Sequence, residues 1–106
     1  MNEMNILEKV YKVVTVKHPN CNTPYTFMVP ASVDLCIGEY VLCDTRANRL
    51  PQVAQCITPT FMITGTQLQY LYGISPSCLR PIVAVMTPHM VMKEYVEDGV
   101  RDGGKD

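Results

Sequence analysis

The sequence predicts a mainly β protein with short helices: a small antiparallel β-barrel or bent five-stranded sheet, with a short C-terminal helix. Three observations predict it. Apolar residues gather into short runs rich in valine, leucine and isoleucine. Proline, glycine and asparagine punctuate those runs at close intervals. Helical spacing appears only in two small patches near the C-terminal end. Strands joined by local hairpins are antiparallel, because a parallel pair needs a crossover of a dozen or more residues.

The first strand is VYKVVTVK, residues 10–17, with Val10, Lys12, Val14 and Val16 on one face and Tyr11, Val13, Thr15 and Lys17 on the other. Apolar residues on both faces predict partial burial on each side. HPNCNTP, residues 18–24, is a hairpin loop in which two prolines fix φ and two asparagines tolerate the left-handed region. YTFMV, residues 25–29, returns as the second strand and Pro30 ends it by removing a ladder donor. Residues 30–39 form a connector whose Val33, Leu35 and Ile37 alternate inward, and Gly38 takes a positive φ. Residues 40–44 and 52–58 are the third and fourth strands, the latter with Val53, Gln55 and Ile57 on one face, joined by the 45–51 loop.

After Pro59 the pattern changes. Residues 64–76 predict one or two helical turns, with Thr66 as N-cap, Leu68, Leu71 and Tyr72 on one face and Gly73 as stop. LRPIVAVM, residues 79–86, is the fifth strand, and Pro81 places its start at a sheet edge, where it could pair with a second copy as a homodimer. Thr87-Pro88 reads as an N-cap with proline at the first helical position, so residues 89–98 form the short C-terminal helix. The expected organisation is one β-rich domain over residues 1–99 and a flexible acidic tail over residues 100–106.

Composition excludes more than it identifies. Residues 1–96 carry seven Lys/Arg against six Asp/Glu, whereas the last ten residues carry two against four. So balanced a body makes any nucleic-acid contact local. Five cysteines at irregular spacing, with no apolar leader in MNEMNILEKV, predict free thiols in a reducing cytoplasm. Cys43 and Cys56 are small apolar residues within strands, and Cys21 is the thiol expected to be most exposed. No apolar run approaches the ~18 residues of a membrane span.

The chemistry-bearing residues are sparse. No pair of cysteines has C-x₂₋₄-C spacing, so neither a metal nor another cofactor is expected. His18 or His89 with Cys21 is the one nucleophile–base combination, and loop solvation accounts for these histidines as well. Asp34, Glu39 and Asp44 could pair as acid and base, but turn solvation explains them equally. Phosphate-binding glycine motifs are absent, and no catalytic residue is assigned. Binding surfaces remain. Arg46, Asn48 and Arg49 form a local basic cluster able to meet phosphate or an acidic protein patch, or simply solvate a turn. Tyr25 and Tyr40, with Tyr11, fall on or beside neighbouring strands, where they could stack bases or close a small core with their hydroxyls at its rim.

The order YTFMVP…VDLCIGEYVLCDT…QVAQCI, across residues 25–57, resembles the N-terminal DNA-end-binding domain of primosomal replication-restart helicases, and small proteins of phages and mobile elements with the same pattern. The resemblance covers about a third of the chain, rests on fold-forming residues, and implies a small β-barrel. Pro51-Gln52 stands where those helicases carry glycine, and the helicase motor is missing. The expected function is a non-enzymatic phage or mobile-element protein that contacts nucleic acid or a host nucleoprotein through the 45–51 loop. The alternative is an inhibitor of a host defence nuclease, of the anti-CRISPR type, acting by protein–protein binding.

Overall fold

A computed structural model of the chain describes residues 5–44 and 50–86. The expectations for the 45–49 loop, the C-terminal helix and the acidic tail lie outside them. The fold is a curled half-barrel of antiparallel strands, as the sequence predicts; among the described residues it holds one short α-helix and six strands, where five are expected. These are β1 (Val10–Lys17), β2 (Tyr25–Met28), β3 (Tyr40–Cys43), β4 (Gln52–Cys56), β5 (Phe61–Thr64) and β6 (Ile82–Met86). Helix α1 (Gly65–Tyr72) and a 3₁₀ turn (Pro76–Cys78) lie between β5 and β6.

Strand β1 is the hub. Its order in the sheet is β2-β1-β4-β3-β6, and β5 also pairs with β1, beside β4 on the same edge. The chain from β4 to β5 thus runs along one edge of β1, meeting Lys17 and Val16 through β4 and the stretch from Val13 back to Val10 through β5. The ladder breaks between them, where Pro59 has no N–H to give. Thr58 repairs the break: its Oγ1 accepts the Thr15 N–H at 3.1 Å, while the Ile57 N–H donates to the Thr15 carbonyl at 2.9 Å. At the far side the sheet ends approach each other, with Met28 bridged to Pro81 in parallel and its N–H donated to the Arg80 carbonyl at 2.8 Å.

Because β1 is covered on both faces, it anchors two apolar clusters. Val14 and Val16 point into the half-barrel with Phe27, Val29, Leu35, Val41, Ala54, Cys56 and Ile82. Val13 points out, against Ile63, Leu68 and Leu79, with Tyr11, Met28, Phe61 and Ile74 at the margin. Fully burying each valine or leucine contributes about 1.5–3 kcal/mol. Lys12 clamps the connector onto the sheet, donating from Nζ to the Ala31 carbonyl at 2.9 Å and to Asp34 Oδ1 at 2.8 Å.

Several local expectations need correction. Strand β5 was not expected; it extends the β4 path onto β1. Ile37 does not alternate inward: it is 68% exposed, at the second position of the turn from Cys36 to Glu39, whose third position, Gly38, holds φ 96°. The N-cap of α1 is Thr64 rather than Thr66. Thr64 Oγ1 accepts the Gln67 N–H at 3.1 Å and Gln67 Oε1 accepts the Thr64 N–H at 3.0 Å, a reciprocal capping box. Thr66 instead donates its hydroxyl to the Leu7 carbonyl at 2.9 Å. Of the proposed apolar helix face, Leu68 is buried but Leu71 is 73% exposed. Gly73 does close the helix, in the left-handed region at φ 69°. Strand β6 starts at Ile82, because Pro76 to Cys78 wind into a 3₁₀ turn.

Candidate functional site

Cross-strand register sorts the candidate residues by face, since directly opposed residues share one face and neighbours along a strand alternate. Tyr25 opposes Val16, which opposes Cys56, and this row faces the interior of the half-barrel. The next row is Lys17 on β1, Gln55 on β4, Tyr40 on β3 and Met86 on β6, and it faces outward. The two candidate tyrosines therefore lie on opposite faces, and they do not form a joint stacking platform. Tyr11 belongs to the outer core cluster, with its hydroxyl donated to the Ile6 carbonyl at 3.1 Å.

The outward row borders a cleft of ≈ 410 Å³ beneath the β1–β2 hairpin loop. Lys17, Tyr40, Gln55 and Ile57 form its sheet side, and the loop from His18 to Asn22 forms its rim. Among the described residues, Lys17 has no ion-pair partner and no acidic side chain lines the cleft. Gln55 is oriented by donating Nε2 to the Gly38 carbonyl at 3.2 Å. Asn20 is the one non-glycine residue with positive φ among the described residues, at 61°. Asparagine tolerates that region better than most, and here it turns the hairpin over the cleft.

His18 is not a solvated loop histidine, as the sequence suggested. It is half-buried and follows Lys17 onto the inner face, where it meets Tyr25 at a ring separation of 5.8 Å and Phe27 edge-on at 6.4 Å. Its Nδ1 lies 3.1 Å from the Val53 carbonyl, and a carbonyl only accepts, so the proton sits on Nδ1. Nε2 is buried and has no hydrogen-bond partner among the described residues. His18 thus plugs one end of the half-barrel and fixes where the hairpin loop begins.

Nucleophilic chemistry gains no support from the thiols. Cys21 is half-buried and turns its Sγ toward the Thr23 carbonyl at 3.7 Å, sharing no hydrogen bond with His18; the exposed thiols are Cys36 and Cys78 instead. Burial, with a smaller contribution from Cys56, pushes the Cys43 thiol up to about 12. Burial, with Glu39 and Cys36, pushes Cys56 up to about 11. Both stay protonated near neutrality, when a nucleophile would need to be thiolate. Among the described residues no group of three or more His, Cys, Asp or Glu could hold a metal. No helix among them is long and apolar enough to cross a membrane.

Arg46, Asn48 and Arg49 lie outside the described residues. The pairing of Cys43 with Gln52 places the departure of that loop at the opposite end of β3 from Tyr40. Before it, Arg80 grips Asp44, donating Nε to its carbonyl at 3.1 Å and Nη2 to Oδ2 at 2.6 Å. Lys17, Asn20, Asn22, Gln55 and Ile57 escaped the sequence reading, because only the register reveals that they converge. No known protein family, curated protein or solved structure matches the chain, so its residues alone carry the reading of its role.

Proposed function

We propose that this protein is a non-enzymatic cytoplasmic binding module that holds single-stranded nucleic acid, alone or in a nucleoprotein, on the outward face of its sheet. The observation that carries this reading is the row Lys17–Gln55–Tyr40 beside a cleft rimmed by asparagines and lined, among the described residues, by no acid. A cation for phosphate, an aromatic ring for a base and amides for base edges are the components such sites combine. Arg46 and Arg49, on the loop that leaves β3 at the end away from Tyr40, would meet phosphates only of a strand that continues along the sheet beyond the cleft.

Fluorescence anisotropy with labelled single-stranded and duplex oligonucleotides at graded salt tests it. Lys17→Ala should weaken single-strand binding and flatten the log–log salt slope by about 0.7 for the phosphate contact removed. Tyr40→Ala should weaken binding without changing that slope. Absence of binding at low salt, or equal affinity in all three proteins, would refute the reading.

A second reading, inhibition of a host nuclease by protein contact, is favoured by β6. Val83 and Val85 are 51% and 42% exposed at the end of the sheet, where apolar edge strands invite pairing with a partner or a second copy. Light scattering and a nuclease-treated pull-down separate those outcomes.

A further inference from the structure

The free edge of β2 borders a groove of ≈ 470 Å³, lined on one side by Tyr25, Thr26 and Phe27 and on the other by Ile74, Cys78 and Arg80. The backbone of Thr26 opens into it. Thr15, which opposes Thr26, uses its N–H and carbonyl on the far side of β1, with Thr58 and Ile57. The Thr15–Thr26 pair is therefore a wide one, in which neither backbone addresses the other. Three further facts agree. Val29, of the opposite parity, donates to the Lys12 carbonyl at 2.8 Å. Met28, of the same parity as Thr26, donates away from β1 to Arg80. The two threonine hydroxyls bond across the pair at 2.9 Å, as the closer side chains of a wide pair allow.

The rung beside Thr26 is empty for a clear reason. Arg80 and Pro81 lie alongside Met28 as a strand would, but the chain just before them winds into the Pro76–Cys78 turn and leaves the edge. Thr26 has an N–H and a carbonyl facing outward, and no described residue meets either. Among the described residues, Arg80 is the one charged side chain lining the groove and no acid lines it; Arg80 binds Asp44 through Nε and Nη2, and its Nη1 has no partner among them. The volume falls in the range of ligand clefts, ~300–1,000 Å³.

The geometry points to a docking groove for a short extended peptide of a protein partner, added as a strand on β2. One peptide residue exchanges backbone hydrogen bonds with Thr26, an aliphatic side chain packs on Phe27 and Ile74, and an Asp or Glu meets Arg80. Main-chain bonds supply the affinity and the acidic residue the selectivity. This surface is separate from the Lys17–Tyr40 cleft and does not depend on nucleic-acid binding.

The test uses the full chain, ¹⁵N-labelled, titrated with a capped hexapeptide of alternating valine and threonine with one glutamate, its glutamine counterpart, and a backbone N-methylated version. The expected result is a saturable shift of the Thr26 amide with the glutamate peptide, weaker binding of the glutamine peptide, and loss with N-methylation. Thr26→Pro deletes the outward N–H without touching the bonds of β2 to β1, and should weaken binding about tenfold or more. Thr26→Val keeps the backbone, loses the hydroxyl, and should bind as the native chain does. An unmoved Thr26 amide at saturating peptide, or equal binding to Thr26→Pro, would overturn the proposal. Nuclear Overhauser contacts from residues 87–106 to Thr26 would also overturn it, by assigning the groove to the chain itself.

Discussion

Gly65→Ala is the substitution for which local and tertiary rules disagree most clearly. Gly65 is the first residue of α1, and helix propensity alone favours alanine over glycine by up to about 1 kcal/mol. A Cβ at Gly65, however, would fall on the Ile6 carbonyl oxygen and within 2.9 Å of Leu7 Cα. Both are backbone atoms, so no side chain can rotate away. Relief requires the segment before β1 to move, and that strains three hydrogen bonds to its carbonyls: the Gly65 N–H to Lys9 at 3.0 Å, the Thr66 N–H to Leu7 at 2.9 Å and the Thr66 hydroxyl to Leu7 at 2.9 Å. Overpacking costs about 1–3 kcal/mol, and each hydrogen bond contributes about 0.5–1.5 kcal/mol net. These hydrogen bonds are near the surface, where water replaces part of their loss, so the expected balance is destabilisation by about 2 kcal/mol. Urea unfolding followed by circular dichroism measures it. The midpoint should fall at an unchanged slope. A midpoint equal to or above that of the native chain would refute the close approach of the N-terminal segment to α1.

Other expectations follow from the buried groups. Thr58→Val removes the acceptor for the Thr15 N–H where the ladder is broken, and should cost about 1–3 kcal/mol in the same assay. Thr58→Ser, which keeps the oxygen, should recover most of that loss. Iodoacetamide at pH 8 should modify Cys36 and Cys78 in the folded chain, leaving Cys43 and Cys56 unmodified until denaturant is added, as read by peptide mass mapping. The same two thiols predict alkaline sensitivity. Their folded values, about 12 and about 11, lie above the ordinary 9.0, so their contribution is complete below pH 9 and declines as pH rises toward those values. Chemical denaturation between pH 8 and 11 should show stability falling, and Cys43→Ala with Cys56→Ala should reduce the slope.

Local rules made several parts of the fold legible. A β-branched run sets the bounds of β1, prolines and asparagines mark its hairpin, and Gly38 and Gly73 sit where positive φ is required. Strand β5 was hidden because four residues between Pro59 and a helix N-cap carry too little periodicity. It is a strand because β1 offers an edge there. The misplacement of Thr66 has a similar cause: Thr64 and Thr66 are equivalent as cap candidates until Leu7 takes the second one. The site was less legible than the fold. Tyr25 and Tyr40 look like neighbours in sequence order, but β4 and β1 lie between their strands, and register sets them on opposite faces. His18 looks like any loop histidine, and only the carbonyl of Val53, 35 positions away, gives it a place.

The position of β1 has a consequence for how the chain comes to be folded. Of the six described strands, the first made is the one most others pair with, and it must hold partners from Tyr25 through Thr64. Its hairpin with β2 can close early, on the microsecond scale of such events. One edge of that hairpin then remains open until synthesis has reached Thr64, and the ends of the sheet cannot meet before Pro81. A nascent chain halted short of those residues presents unpaired valine-rich backbone to its surroundings. Completion through such distant pairings belongs to the slower range of small-domain folding.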